Sequence, residues 1–147
     1  MKKYFLQTVV LISFMLAGFT SAGSFKNLDE NSYAKYESNL IAGLNSENLG
    51  LQISSAYFLG EIGSEKAVLS LVKLLRDSEN EDLRIISALS LIKIDNELGV
   101  YMVKQAQKFN DNEKARSKCR RFYTAYMMRK YENSTTDGNY FVAGVVK

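Results

Sequence analysis

Apolar residues return every third or fourth position in a series of runs between about residues 31 and 131. That spacing places them along one face of an α-helix. Val68, Leu71, Val72 and Leu75 make one such stripe and predict a helix from about Glu65 to Arg76. The next run predicts a helix from about Glu81 to Ile94. Before them, Leu40, Ile41 and Leu44 close a helix that begins near Asn31, and Leu51 to Ile62 form another. After them come helices from about Glu97 to Lys108 and, longer, from about Glu113 to Tyr131. Gly63 suits a left-handed helix end, and Ser64 a cap for the helix after it. Ser78 and Glu81 have the spacing of a capping box.

These helices come in related pairs. Residues 46–68 laid over residues 78–100, an offset of 32, agree at 11 of 23 positions. The shared residues include Ser46/Ser78, Asn48/Asn80, Leu51/Leu83, Ser55/Ser87, Ala56/Ala88, Leu59/Leu91 and Val68/Val100. A repeat of this length marks a solenoid, in which each two-helix unit covers its apolar stripe against a neighbour. The expected fold is therefore all-α, an α-α superhelix of about three two-helix repeats. Ser55, Ala56, Ser87 and Ala88 are the small residues that let helices approach closely.

The residues also carry a resemblance. Leu59-Gly60-Glu61-Ile62-Gly63, the subsequent Ala67-Val68 with Leu71, Leu74 and Leu75, the small core residues Ala56 and Ala88, and Leu83-Arg84 together resemble the short HEAT-like repeats first associated with phycobilisome lyases. The resemblance covers about residues 32–130, is strongest in the middle unit, and weakens in the third, where Ser117 and Arg120 replace Ile85 and Ala88. It implies a HEAT-like solenoid. It does not imply lyase activity, because many non-enzymatic adaptors share this repeat.

The first 22 residues are written differently. "MKK" is basic, "YFLQTVVLISFMLAGF" is largely apolar, and "TSA" supplies small residues before Gly23. This is the pattern of a secretory signal peptide cleaved near Ala22. The expected organisation is a signal peptide over 1–22, a linker over 23–31, the repeat domain over 32–131 and a tail over 132–147, with a periplasmic or secreted destination. Asp137-Gly138 signals a turn before the apolar tail sequence "NYFVAGVVK".

Composition narrows the chemistry. The 147 residues include no His, no Pro, no Trp and one Cys. The commonest general base and metal ligand is thus missing, as is any internal disulfide. No phosphate loop, Ser-His-Asp set or metal-binding cluster is present, so no catalytic residue, metal or cofactor is expected. Charge is uneven. Residues 27–100 hold 6 basic and 12 acidic residues, net −6, and residues 101–147 hold 10 basic and 4 acidic, net +6.

Several positions invite a functional reading. Gln52, Arg84 and Arg116 share one repeat column, which suits either an anion-binding row or a polar ladder bonding the loops between helices. Cys119 shares the close-packed column of Ser55 and Ser87 and reads as a small buried residue. On the outward columns of the second helices, Phe58 and Ile86 are apolar where polar residues are expected; such residues mark contact sites unless the tail covers them. Lys93 lies in the next column. Lys114, Lys118 and Arg121 lie opposite the apolar face of the last helix. These six, Phe58, Ile86, Lys93, Lys114, Lys118 and Arg121, are the candidate partner-binding residues. The reading is a non-enzymatic exported repeat protein that binds another protein, one of acidic character. The alternatives are self-association through oppositely charged ends, or attachment to a membrane surface through the basic last helix. An exported destination argues against nucleic acid.

Overall fold

A computed structural model describes residues 29–136 of the chain, which divides into two compact units, residues 1–33 and 34–147. The signal-peptide segment and the "NYFVAGVVK" tail lie outside the described residues. In the first unit, Asp29 opens the first helix by accepting the Ser32 N–H at 2.9 Å and the Ser32 hydroxyl at 2.7 Å.

All regular structure among the described residues is helical. α1 runs Glu30–Gly43 and α2 Leu49–Glu61. A 3-10 turn, Glu65–Ala67, leads into α3, Val68–Asp77. α4 is Glu81–Ile94, α5 is Glu97–Phe109 and α6 is Glu113–Thr136. α4 matches its predicted limits at both ends. α6 continues past the predicted end at Tyr131 because nothing there stops it: the first glycine after it is Gly138, and Ser134 donates its hydroxyl to the Tyr131 carbonyl at 2.8 Å.

In the second unit, helices one repeat apart touch: α2 packs on α4, α4 on α6, and α3 on α5. Within repeats α3 packs on α4, and α5 on α6. The core between them is made of Leu59, Leu71, Leu75, Leu83, Leu91, Val103 and Cys119, with Ala56, Ala67 and Ala88 at the closest approaches. Each fully buried Leu contributes about 1.5–3 kcal/mol. Gly60 shows how near α2 and α4 come. A Cβ built on it would lie 2.7 Å from the Ser90 Cα, and the Ser90 hydroxyl donates to the Ala56 carbonyl at 2.7 Å.

The repeat also governs the turns. Asn48, Asn80 and Asn112, spaced by 32, cap α2, α4 and α6. Their side-chain oxygens accept the N–H groups of Leu51, Leu83 and Ala115 at 3.0, 2.9 and 2.8 Å. Ahead of each asparagine, the side chains of Ser46, Ser78 and Asn110 accept its backbone N–H. The cap of α4 is therefore Asn80, not the Ser78 expected from the capping-box spacing. Ser64 makes no side-chain cap either, because its hydroxyl is committed to Glu37 at 2.6 Å. Gly63 does take the left-handed conformation, with φ 68°, and its repeat counterpart Asp95 takes it too, with φ 60°. Asp95 has a Cβ to accommodate there, and its side chain is held by α6.

Candidate functional site

The Gln52, Arg84 and Arg116 column is a ladder. Gln52 donates to the Leu44 carbonyl at 3.2 Å, Arg84 to the Ser78 carbonyl, and Arg116 to the Asn110 carbonyl at 2.7 Å. Arg84 is buried and also bonds Asn110 and Asp111. Each side chain fastens the loop that precedes its own helix, so the column serves the fold and offers no row of open cations. Cys119 is fully buried, and burial pushes its thiol up to about 11. A thiol this far above neutrality is not a nucleophile.

On the outward side of α2 and α4, the candidate residues separate into three environments. Phe58 is 36% exposed and meets the Tyr57 ring edge-on, with centroids 5.4 Å apart. Lys93 lies over the Tyr57 ring, 4.9 Å from its centroid, and pairs with Glu61. The Lys93 ammonium and the Tyr57 hydroxyl, in that order, hold the Glu61 carboxyl below its ordinary value. Ile86 is not an exposed contact. It is half-buried and packs against the core. Ser90, in the Phe58 column, is buried as well, since its small side chain fits under α2. A repeat register says which positions are equivalent; the neighbouring helix decides which of them are covered.

α6 carries the remaining candidates. Lys114, Lys118, Arg121 and Ala125 recur at intervals of four, three and four along one side of it. Lys114 is engaged within the chain, 2.6 Å from Glu81, and the pairing draws that carboxyl down and the ammonium up. Near the far end, Tyr126 donates to Asp95 at 2.6 Å and Lys130 pairs with the same carboxylate at 2.9 Å. These two bonds, the Tyr126 one first, hold Asp95 below the usual carboxylate range. They also explain how Asp95 keeps a left-handed backbone: α6 clasps its side chain.

Lys118, Arg120 and Arg121 differ from both groups. Among the described residues, none of them has a carboxylate partner. Arg120 and Arg121 are exposed, Lys118 is half-buried, and every residue from Met127 to Ser134 is exposed. Met127, Met128 and Tyr131 thus add apolar surface to the basic helix. Among the described residues, no group of three or more metal-ligating side chains comes together, and no helix is long and apolar enough to cross a membrane.

The most exposed apolar side chains lie outside the six candidate positions. Leu69 on α3 is 71% exposed, and Tyr101, its counterpart on α5 one repeat later, is 54% exposed. Phe109, the last residue of α5, is 77% exposed. A signal was present in the sequence: Leu69 stands beside the α3 stripe, not on it. No protein-family model matches the chain, and no curated protein is significantly similar to it.

Proposed function

We propose that this chain is an exported HEAT-like repeat protein that binds another protein and carries out no reaction itself. The observation that carries the reading is the unpaired basic surface of α6. Lys114 and Lys130 near the two ends of α6 each meet a carboxylate, as do Lys66, Arg76, Arg84 and Lys93 elsewhere, whereas among the described residues Lys118, Arg120 and Arg121 do not. An outer helix needs polarity for solubility, but a one-sign surface beside exposed Met127, Met128 and Tyr131 suits an acidic protein partner. The contact order α2–α4–α6 and the asparagine caps spaced by 32 support the solenoid reading of the repeats. The apolar segment ahead of Gly23 supports export.

Self-association through opposite charges has less behind it, because Lys114 and Lys130 already neutralise Glu81 and Asp95 within one chain. The test is affinity capture from an envelope extract with wild-type chain and with Lys118→Glu/Arg121→Glu. The expected result is one acidic protein retained by the wild type and released by the charge reversal, with unchanged thermal unfolding of the bait. Identical captures by both baits would remove α6 as the contact.

A further inference from the structure

We infer that the outer side of α3 and α5 rests on an anionic lipid surface, its exposed apolar side chains entering the headgroup layer and its unpaired lysines meeting the lipid charges. This goes beyond the α6 reading, involves different residues and does not depend on it. The alternation of exposed and buried positions defines the side. On α5, Leu98, Tyr101, Lys104, Lys108 and Phe109 are exposed at intervals of three, three, four and one, while Gly99 and Val103 are buried. On α3, Leu69, Lys73 and Arg76 are exposed at intervals of four and three, while Val68, Leu71 and Leu75 are buried. Steps of three and four keep side chains on one side of a helix. α3 packs on α5, and Leu69 and Tyr101 are one repeat apart, so the two helices turn equivalent sides outward.

Charge and shape select the occupant. No acid occurs from Lys66 to Arg76 or from Leu98 to Phe109, and those stretches hold five basic residues. Lys66 pairs with Glu37 and Arg76 with Asp77. Lys73, Lys104 and Lys108 have no carboxylate partner among the described residues. Glu65 and Glu97 are confined to the points where the segments begin. Leu69, Leu98, Tyr101 and Phe109 are exposed between and beside these lysines. A folded protein partner would need a fitted pocket for each protruding side chain. A headgroup layer has no fixed shape and receives each apolar tip separately. Lysine stems lie along the apolar part of such a layer while their ammonium groups stay among the lipid charges. Tyr101 suits the same depth, with an apolar ring and a polar tip.

The chain has no Trp, so Tyr101→Trp, Phe109→Trp and, on α6, Tyr131→Trp each supply a single reporter. Each purified full chain is mixed with vesicles of phosphatidylcholine and phosphatidylglycerol whose acyl chains carry bromine, a contact quencher of Trp. Quenching is expected at 101 and 109 and not at 131. It should be absent with phosphatidylcholine alone and should weaken as salt rises from about 0.01 to about 0.15 M. Lys104→Glu/Lys108→Glu should weaken the binding read at Tyr101→Trp at least about tenfold, since one lysine beside an anionic surface is worth about fivefold. Phe109→Ser should weaken it about tenfold. Its thermal unfolding should stay unchanged, because the ring is 77% exposed. The place of quenching separates this side from residues 1–22, whose apolar sequence can carry the chain to vesicles by itself. Binding to vesicles with no quenching at 101 or 109 therefore overturns the proposal, as does quenching at 131 alone. Binding of polyglutamate through Lys104 and Lys108, with no vesicle binding, would identify an acidic protein partner and overturn it too.

Discussion

Gly60 lies where α2 leans on α4, and no larger residue fits there. Its absent Cβ leaves the space that the Ser90 backbone fills, at 2.7 Å from where that carbon would stand. Backbone cannot swing aside as a side chain can. Gly60→Ala is therefore expected to destabilise the fold by about 1–3 kcal/mol, read by urea unfolding. Glu37 presents the opposite case, a charge that folding favours. Its side chain is 6% exposed, pairs with Lys66 at 2.7 Å and accepts the buried Ser64 hydroxyl. The Lys66 bond first, then the Ser64 bond, hold its pKa below the ordinary 4.5. A carboxyl depressed in the folded state contributes stability in full above its unfolded value, and loses it as pH falls through the folded one. Unfolding free energy should thus be level near neutrality and decline below about pH 4.5. Glu37→Gln should be less stable at neutral pH and show a shallower acid decline. An unchanged acid limb in that variant would mean that Glu37 contributes no linkage.

The helices themselves were largely legible from spacing. α4 was legible at both ends, since Glu81 and Asp82 favour a helix start and Asp95 and Asn96 come directly after its last residue. Three features of the elements were not. The asparagine column was hidden by the capping-box rule, which favours Ser with a downstream Glu. Here Ser78 is two residues too early, and its hydroxyl braces the Asn80 N–H instead. The length of α6 was hidden because charged and polar residues end an amphipathic pattern without ending a helix. The exposure of the columns was hidden because it depends on the adjacent helix. Phe58 and Ile86 look alike as misplaced apolar residues, yet Ile86 packs on the core and Phe58 faces outward at 36% exposure. Ile86→Lys is accordingly expected to lower the melting temperature by several degrees, the effect of about 1 kcal/mol in a domain of this size. Phe58→Ser should shift it by much less. Equal shifts would show that the two residues are packed to the same extent.

Across the whole molecule, the division into a −6 and a +6 portion is partly closed by the fold. Glu81 meets Lys114 and Asp95 meets Lys130, each pair joining the acidic portion to the basic one. Screening should then act within the chain. Light scattering is expected to give the mass of one chain at both about 0.01 M and about 0.15 M salt, where the Debye length falls from about 30 to about 8 Å. A doubled mass at low salt alone would favour self-association. Lys118, Arg120 and Arg121 on α6 stay open among the described residues, and their use is the central claim. The most direct measurement is photo-crosslinking in cells that express the full chain, with benzoylphenylalanine placed at Ser117 or Thr124, both exposed on α6, and at Ser38 on α1 as reference. The account predicts a single heavy adduct from both α6 positions, lost with Lys118→Glu/Arg121→Glu, and none from Ser38. Adducts from Ser38 but from neither α6 position would contradict it.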